Sequence, residues 1–215
     1  MKPLKIISII VSLAVLTIPN YSALFLNNIA EGFGNGDGKN QQIEEYVVAG
    51  AKSFIESYKN ALALIDAFEI KPSQAADISA AFIFTENALR QLQDSRSHYA
   101  KAKELGEQAG YNMTFIVKFK VFDYDEYIDK YGLNKEIAGI VKKYLKEGDI
   151  LGVYEQNIDN IDAIIITLTR IRDTLKSGEK PPIRILWDCI QQYANAALFG
   201  NYTTRISVKI IHNTE

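Results

Sequence analysis

The chain of 215 residues is poor in the side chains that most often carry chemistry. It holds a single cysteine, Cys189, so no intramolecular disulfide can form. It holds two histidines, His98 and His212, and neither stands three residues after a glutamate. That excludes the Glu-x-x-His pairs with which helical bundles hold di-iron centres. No His-Glu-x-x-His zinc signature, Cys-x-x-Cys-His haem attachment or Gly-rich phosphate loop occurs. A Gly-x-Ser-x-Gly nucleophile turn is also missing. Acids and bases nearly balance, at 26 and 24, for a formal charge of −2. A body with no basic excess argues against nucleic acid as a partner, because such binding displaces counterions with a cationic surface.

Long apolar runs are scarce as well. The one uncharged, apolar-rich run lies between Ile6 and Ile18, preceded by Lys2 and Lys5 and followed by Pro19. Lysines, a short apolar core and a proline form the layout of a secretory signal, so residues 1–23 are read as a signal peptide. A run of about 13 residues is shorter than the ~20 that a membrane crossing needs, and extending it to Leu26 would bury Pro19 and Asn20 in a helix. The cut site is irregular: Ser22 or Ala23 would precede it, with Asn20 or Tyr21 rather than a small residue three places back. Removal of Lys2 and Lys5 with no acid would take the formal charge from −2 to −4. Export together with a lone cysteine points to a bacterial periplasm or cell surface, since small secreted domains elsewhere lean on disulfides. Membrane contact is expected only if the leader is retained.

Residues 24–40 read as a flexible connector, on the strength of the Gly32–Lys39 stretch GFGNGDGK. Asn35, Asp37, Gly38 and Glu44 match positions 3, 5, 6 and 12 of a calcium loop, but Phe33 occupies the first position, where aspartate belongs. No metal or other cofactor is assigned.

Residues 41–215 read as one mainly α domain, an antiparallel up-down bundle of four long helices with short helices and a small two-stranded β-ribbon. The first helix, from Gln41 to Ile70, places Ile43, Val47, Ala51, Phe54, Tyr58, Ala61, Ile65 and Phe68 on one face. A second follows Ser73, a candidate cap, with Ile78, Phe82, Thr85, Leu89, Leu92, Tyr99 and Ala102 on its stripe, running toward Gly106 and Gly110. The third has Leu151, Tyr154, Ile158, Ile161, Ile165, Leu168 and Leu175 in its seam, broken by Arg172, with Ile164, Ile166 and Ile171 widening the face. Its strong periodicity marks it as the central helix. Gly178 ends it, and Pro181 and Pro182 open a fourth helix carrying Ile183, Leu186, Trp187, Ile190, Ala194 and Ala197. Segments 114–122 and 202–211 alternate like strands and would pair as the ribbon, with short helices near 123–132 and 134–148.

Tyrosine is over-represented, with 12 in the chain, and Tyr58, Tyr99, Tyr154 and Tyr193 fall on seam positions. Gathered in one interior, they would line a cavity for a small amphipathic or aromatic ligand. The ribbon would collect Lys118, Lys120, Arg205 and Lys209 on a basic contact face. Acids cluster at Asp123, Asp125, Glu126 and Asp129, and at Glu155, Asp159 and Asp162, the latter expected on a solvated face opposite the seam. His98 reads as a surface histidine and Cys189 as a small buried hydrophobe. The resulting expectation is an exported envelope protein that binds or interacts with a protein or small molecule and has no catalytic site. The alternatives are a ligand carrier or sensor with a tyrosine-lined cavity, and an enzyme that uses the clustered carboxylates. Sequence pattern leaves the oligomeric state open.

Overall fold

The computed structural model describes residues 38–69, 78–110, 150–193 and 196. These residues are almost wholly helical, and no strand occurs among them. Helix α1 spans Gly38–Glu69, α2 spans Ile78–Gln108 and α3 spans Ile150–Lys176. Residues 183–193 form α4. The leader, the two expected strands, the short helices and the Ser73 cap lie outside the described residues. No described helix is long and apolar enough to cross a membrane.

Helix α1 starts three residues earlier than the sequence suggests. Gly38 and Glu44 therefore sit in a helix and not in a metal-binding loop, and Glu44 is buried, with 3% of its surface exposed. A glycine at a helix terminus loses little by joining it, which is why a Gly-rich stretch marks a helix start only to within a turn.

A seven-residue repeat organises the long helices. On α1 the buried positions Ile43, Val47, Gly50, Phe54, Ser57, Ala61 and Leu64 are separated alternately by four and three residues. On α2 the same alternation runs through Ala81, Thr85, Ala88, Leu92, Ser95, Tyr99, Ala102 and Gly106, all buried. Such spacing keeps one stripe facing one neighbour along the whole length. The α2 stripe is unusual in being built mostly from Ala, Ser, Thr and Gly, which lets helix backbones approach closely.

Two reciprocal hydrogen bonds record that approach. Ser57 Oγ on α1 donates to the Ala88 carbonyl of α2 at 2.7 Å, and Ser95 Oγ on α2 donates to the Gly50 carbonyl of α1, also at 2.7 Å. A serine side chain is too short to reach a backbone across an ordinary large-residue interface. Moving seven residues forward on α1, from Gly50 to Ser57, moves seven backward on α2, from Ser95 to Ala88, so the two helices are antiparallel in one fixed register. Extending the register sets Leu64 opposite Ala81 and Ile43 opposite Ala102, large against small, as close packing requires.

Among the described long helices, α2 packs on both α1 and α3. The α2–α3 seam is flanked by ion pairs between Glu86 and Arg172 at 3.7 Å, Arg96 and Asp162 at 2.7 Å, and Lys103 and Glu155 at 3.5 Å. Steps of ten and seven along α2 are mirrored by steps of ten and seven back along α3, which makes this pair antiparallel too. Each bridge is largely exposed and contributes at most about 1 kcal/mol, so their role is to select the register and not to supply bulk stability.

The α3 seam itself is rotated from the expected one. The buried stripe runs Tyr154, Asn157, Ile161, Ile164, Leu168, Ile171 and Leu175, whereas Ile158, Ile165 and Arg172 are half-buried. The polar Asn157 disguised the true stripe; it is buried and donates to the Val153 carbonyl at 3.2 Å. Arg172 accordingly does not break the seam but borders it. Glu155 and Asp159 are exposed, as a solvated face expects, and Asp162 is half-buried; Glu155 and Asp162 pair with α2 bases at the margin of the interface.

Positive φ at Gly178 (80°) ends α3, with Glu179 N–H bonded to the Thr174 carbonyl and Gly178 N–H to the Leu175 carbonyl. This is the Schellman arrangement, for which glycine is the favoured residue. The chain turns within six residues, and the Pro182 carbonyl accepts the first α4 bond, from Ile185 N–H at 3.0 Å. Lys180, in this turn, lies over the Phe68 ring at 5.4 Å, which places the α3–α4 connection beside the C-terminal end of α1. On α4 the buried residues are Leu186, Cys189, Ile190 and Tyr193, and Ala196 beyond them is buried too. Ile183, assigned to the core from the sequence, is 60% exposed, and Trp187 is half-buried. Starting the helix after the prolines puts Ile183 on its first, outward turn.

A Cβ built at Gly50 would meet the Tyr99 ring at 3.1 Å, and Tyr99 is itself buried. Gly50→Leu is therefore expected to lower stability by about 1–3 kcal/mol despite the better helix propensity of leucine. Urea unfolding of the two proteins measures this; equal midpoints would show that the helices are not in close contact at Gly50.

Candidate functional site

The side chains with chemical capability converge most closely where α1, α2 and α4 meet. Helix α1 supplies Phe54, Ser57 and Tyr58; α2 supplies the Ala88 carbonyl; α4 supplies Tyr193, with Cys189 one turn before it. The Tyr193 ring lies 5.6 Å from Phe54 and 5.5 Å from Tyr58, both tilted, within the range for favourable aromatic pairs. The cluster follows from two sequence facts. Ser57 occupies the α1 seam, and Tyr58, one residue on, turns toward the side on which α4 packs.

The hydrogen bonds fix the position of the protons. Ser57 Oγ and Tyr193 Oη are bonded to one another, and Ser57 Oγ is also bonded to the Ala88 carbonyl. A carbonyl only accepts, so the serine proton points to Ala88 and the tyrosine proton points to Ser57. The chain of two bonds ties three helices through one hydroxyl. Tyr193 is fully buried, and burial pushes its phenol well above the ordinary tyrosine value, with the neighbouring Cys189 adding to the rise and the Ser57 bond opposing it. Burial also pushes the Cys189 thiol up to about 12 and the Tyr58 phenol up to about 12. The Tyr58 hydroxyl has no hydrogen-bond partner among the described residues.

Chemically, this arrangement is suited to holding and not to attack. The Ser57 proton sits on a peptide carbonyl, which is not a base, so nothing in the cluster generates an alkoxide. A thiol raised to about 12 stays protonated and unreactive at neutral pH. The one unused capacity is the Tyr58 hydroxyl, a neutral donor inside an aromatic surround.

All four tyrosines singled out in the sequence are buried, yet they do not share one level of the structure. Tyr58 and Tyr193 stand together at the height of Ser57 and Ala88. Tyr99 packs against Gly50, one heptad or roughly 11 Å away along α1. By the α2–α3 register, Tyr154 lies beside residue 104 of α2, roughly 7 Å farther in the same direction. Lys118, Lys120, Arg205 and Lys209 lie outside the described residues, as do Asp123, Asp125, Glu126 and Asp129. His98 is half-buried on the α1 side of α2, its ring 6.0 Å from that of Tyr46. Among the described residues no three His, Cys, Asp or Glu side chains gather as a metal-binding group would.

Sequence reasoning missed Gly50, Ser57, Ala88 and Ser95. The signal that could have found them is the four-three spacing itself, read without regard to hydropathy.

No protein-family model matches the chain, and no curated protein is significantly similar to it.

Two outcomes follow from this geometry. Ser57→Ala leaves the buried Tyr193 hydroxyl without an acceptor and should cost about 1–3 kcal/mol, whereas Tyr193→Phe leaves the serine bonded to Ala88 and should cost about 0.5–1.5 kcal/mol. Their double variant should lose less than the sum of the two, as chemical denaturation would measure. Equal costs and full additivity would argue that the hydroxyls are not bonded to each other. The second concerns alkaline pH. The thiol and the Tyr58 phenol hold their protons more tightly folded than unfolded, so their contribution is complete below pH 9 and is lost as pH rises toward about 12. Stability should therefore fall above pH 9, and Cys189 should resist thiol reagents in the native protein while reacting at once in denaturant. Rapid native labelling at pH 8 would contradict the burial of the thiol.

Proposed function

We propose that this is an exported bacterial envelope protein, an up-down helical bundle that acts as a binding or interaction module and not as an enzyme. One observation supports the reading: where α1, α2 and α4 meet, the serine, phenol and thiol present no activated nucleophile. Ser57 and Tyr193 join three helices, Cys189 is buried as a protonated thiol, and Glu155 and Asp162 pair with bases of α2. The up-down arrangement is supported by two antiparallel helix pairs, by the short α3–α4 turn beside Phe68, and by the contact of Tyr193 with α1. The compartment rests on the leader layout at residues 1–23, and the basic set Lys118, Lys120, Arg205 and Lys209 would be a contact face for a partner or an anionic envelope surface.

A second reading, a small-ligand carrier or sensor, is favoured by the Tyr58 hydroxyl, which is buried without a partner among the described residues. The ligand would then meet Tyr58 and Tyr193 at one level, and not all four tyrosines.

Cross-linking in the native envelope, followed by purification of the full chain and mass spectrometry, tests both readings. The main reading expects a mature N-terminus near residue 24 and a cross-linked protein partner. A retained small molecule, lost in Tyr58→Phe, would favour the second. An intact Met1 in a cytoplasmic fraction would overturn the envelope assignment, and an uncross-linked chain without ligand would overturn the binding role. Stability separates the cases further: if no ligand meets Tyr58, Tyr58→Phe removes an unsatisfied buried hydroxyl and should leave stability unchanged or raise it.

A further inference from the structure

We draw no further inference here: the strongest candidate, the buried Tyr58 hydroxyl beside Tyr193 on the α1–α4 seam, belongs to the cluster already described, and nothing in the structure shows what would cover or fill the space around it.

Discussion

The close approach of α1 to α2 is the constraint on which the rest of the structure depends. It exists because Gly50 faces Ser95 and Tyr99, and Ser57 faces Ala88, so that backbone comes within reach of a serine hydroxyl on both helices. Without small residues the serines could not reach, and the small α2 side chains leave room for Ile43 and Leu64 of α1 to pack against them. The carbonyls that accept these bonds also serve their own helices, which a second lone pair permits. Once α1 and α2 are locked in register, Ser57 presents its remaining acceptor capacity toward α4, and Tyr193 completes the joint.

Specificity on the other side of α2 is set by charge. Three exposed ion pairs along α2 and α3 add little stability, but they hold one alignment along the seam. Sliding α3 by one heptad would keep a single opposite-charge pairing, Lys103 with Asp162 in one direction or Arg96 with Glu155 in the other, and would set Arg96 opposite Thr169 or Glu86 opposite Ile165. Missing partners then penalise the wrong register, a use of charge that survives even where solvent screens the energy of each bridge. The buried Asn157 sits in the same seam, where a polar group also favours one alignment over others.

The helices themselves were legible in the sequence, because Ile, Leu, Phe and Tyr recur at helical spacing and Gly178 with Pro181 and Pro182 punctuates the chain. The seams were legible only where their residues are large. On α2 the reading found Leu89, Leu92 and Tyr99 but passed over Ala81, Ala88, Ser95 and Gly106, since small side chains carry a weak hydropathic signal although they decide how near two helices can lie. On α3 a hydrophobicity reading preferred Ile158 and Ile165 to Asn157 and Ile164, and so rotated the seam and made Arg172 an interruption. Whether four tyrosines meet is a question of height along antiparallel helices, which depends on register, and register was fixed by serines and charges that no single-helix pattern contains. Cys189 was legible as a buried thiol because one unpaired cysteine in an apolar helix has few other places to go.

Native-state hydrogen exchange tests the central claim most directly, because it reads the stability of each helix separately. If the reciprocal serine bonds bind α1 and α2 into one unit, the amides around Gly50 and Ser57 on α1 and around Ala88 and Ser95 on α2 will exchange only through the same opening, with one shared free energy at or near that of global unfolding. Exchange of α1 at a distinctly lower free energy, with α2 still protected by α3, would mean that the close α1–α2 contact does not hold the structure together.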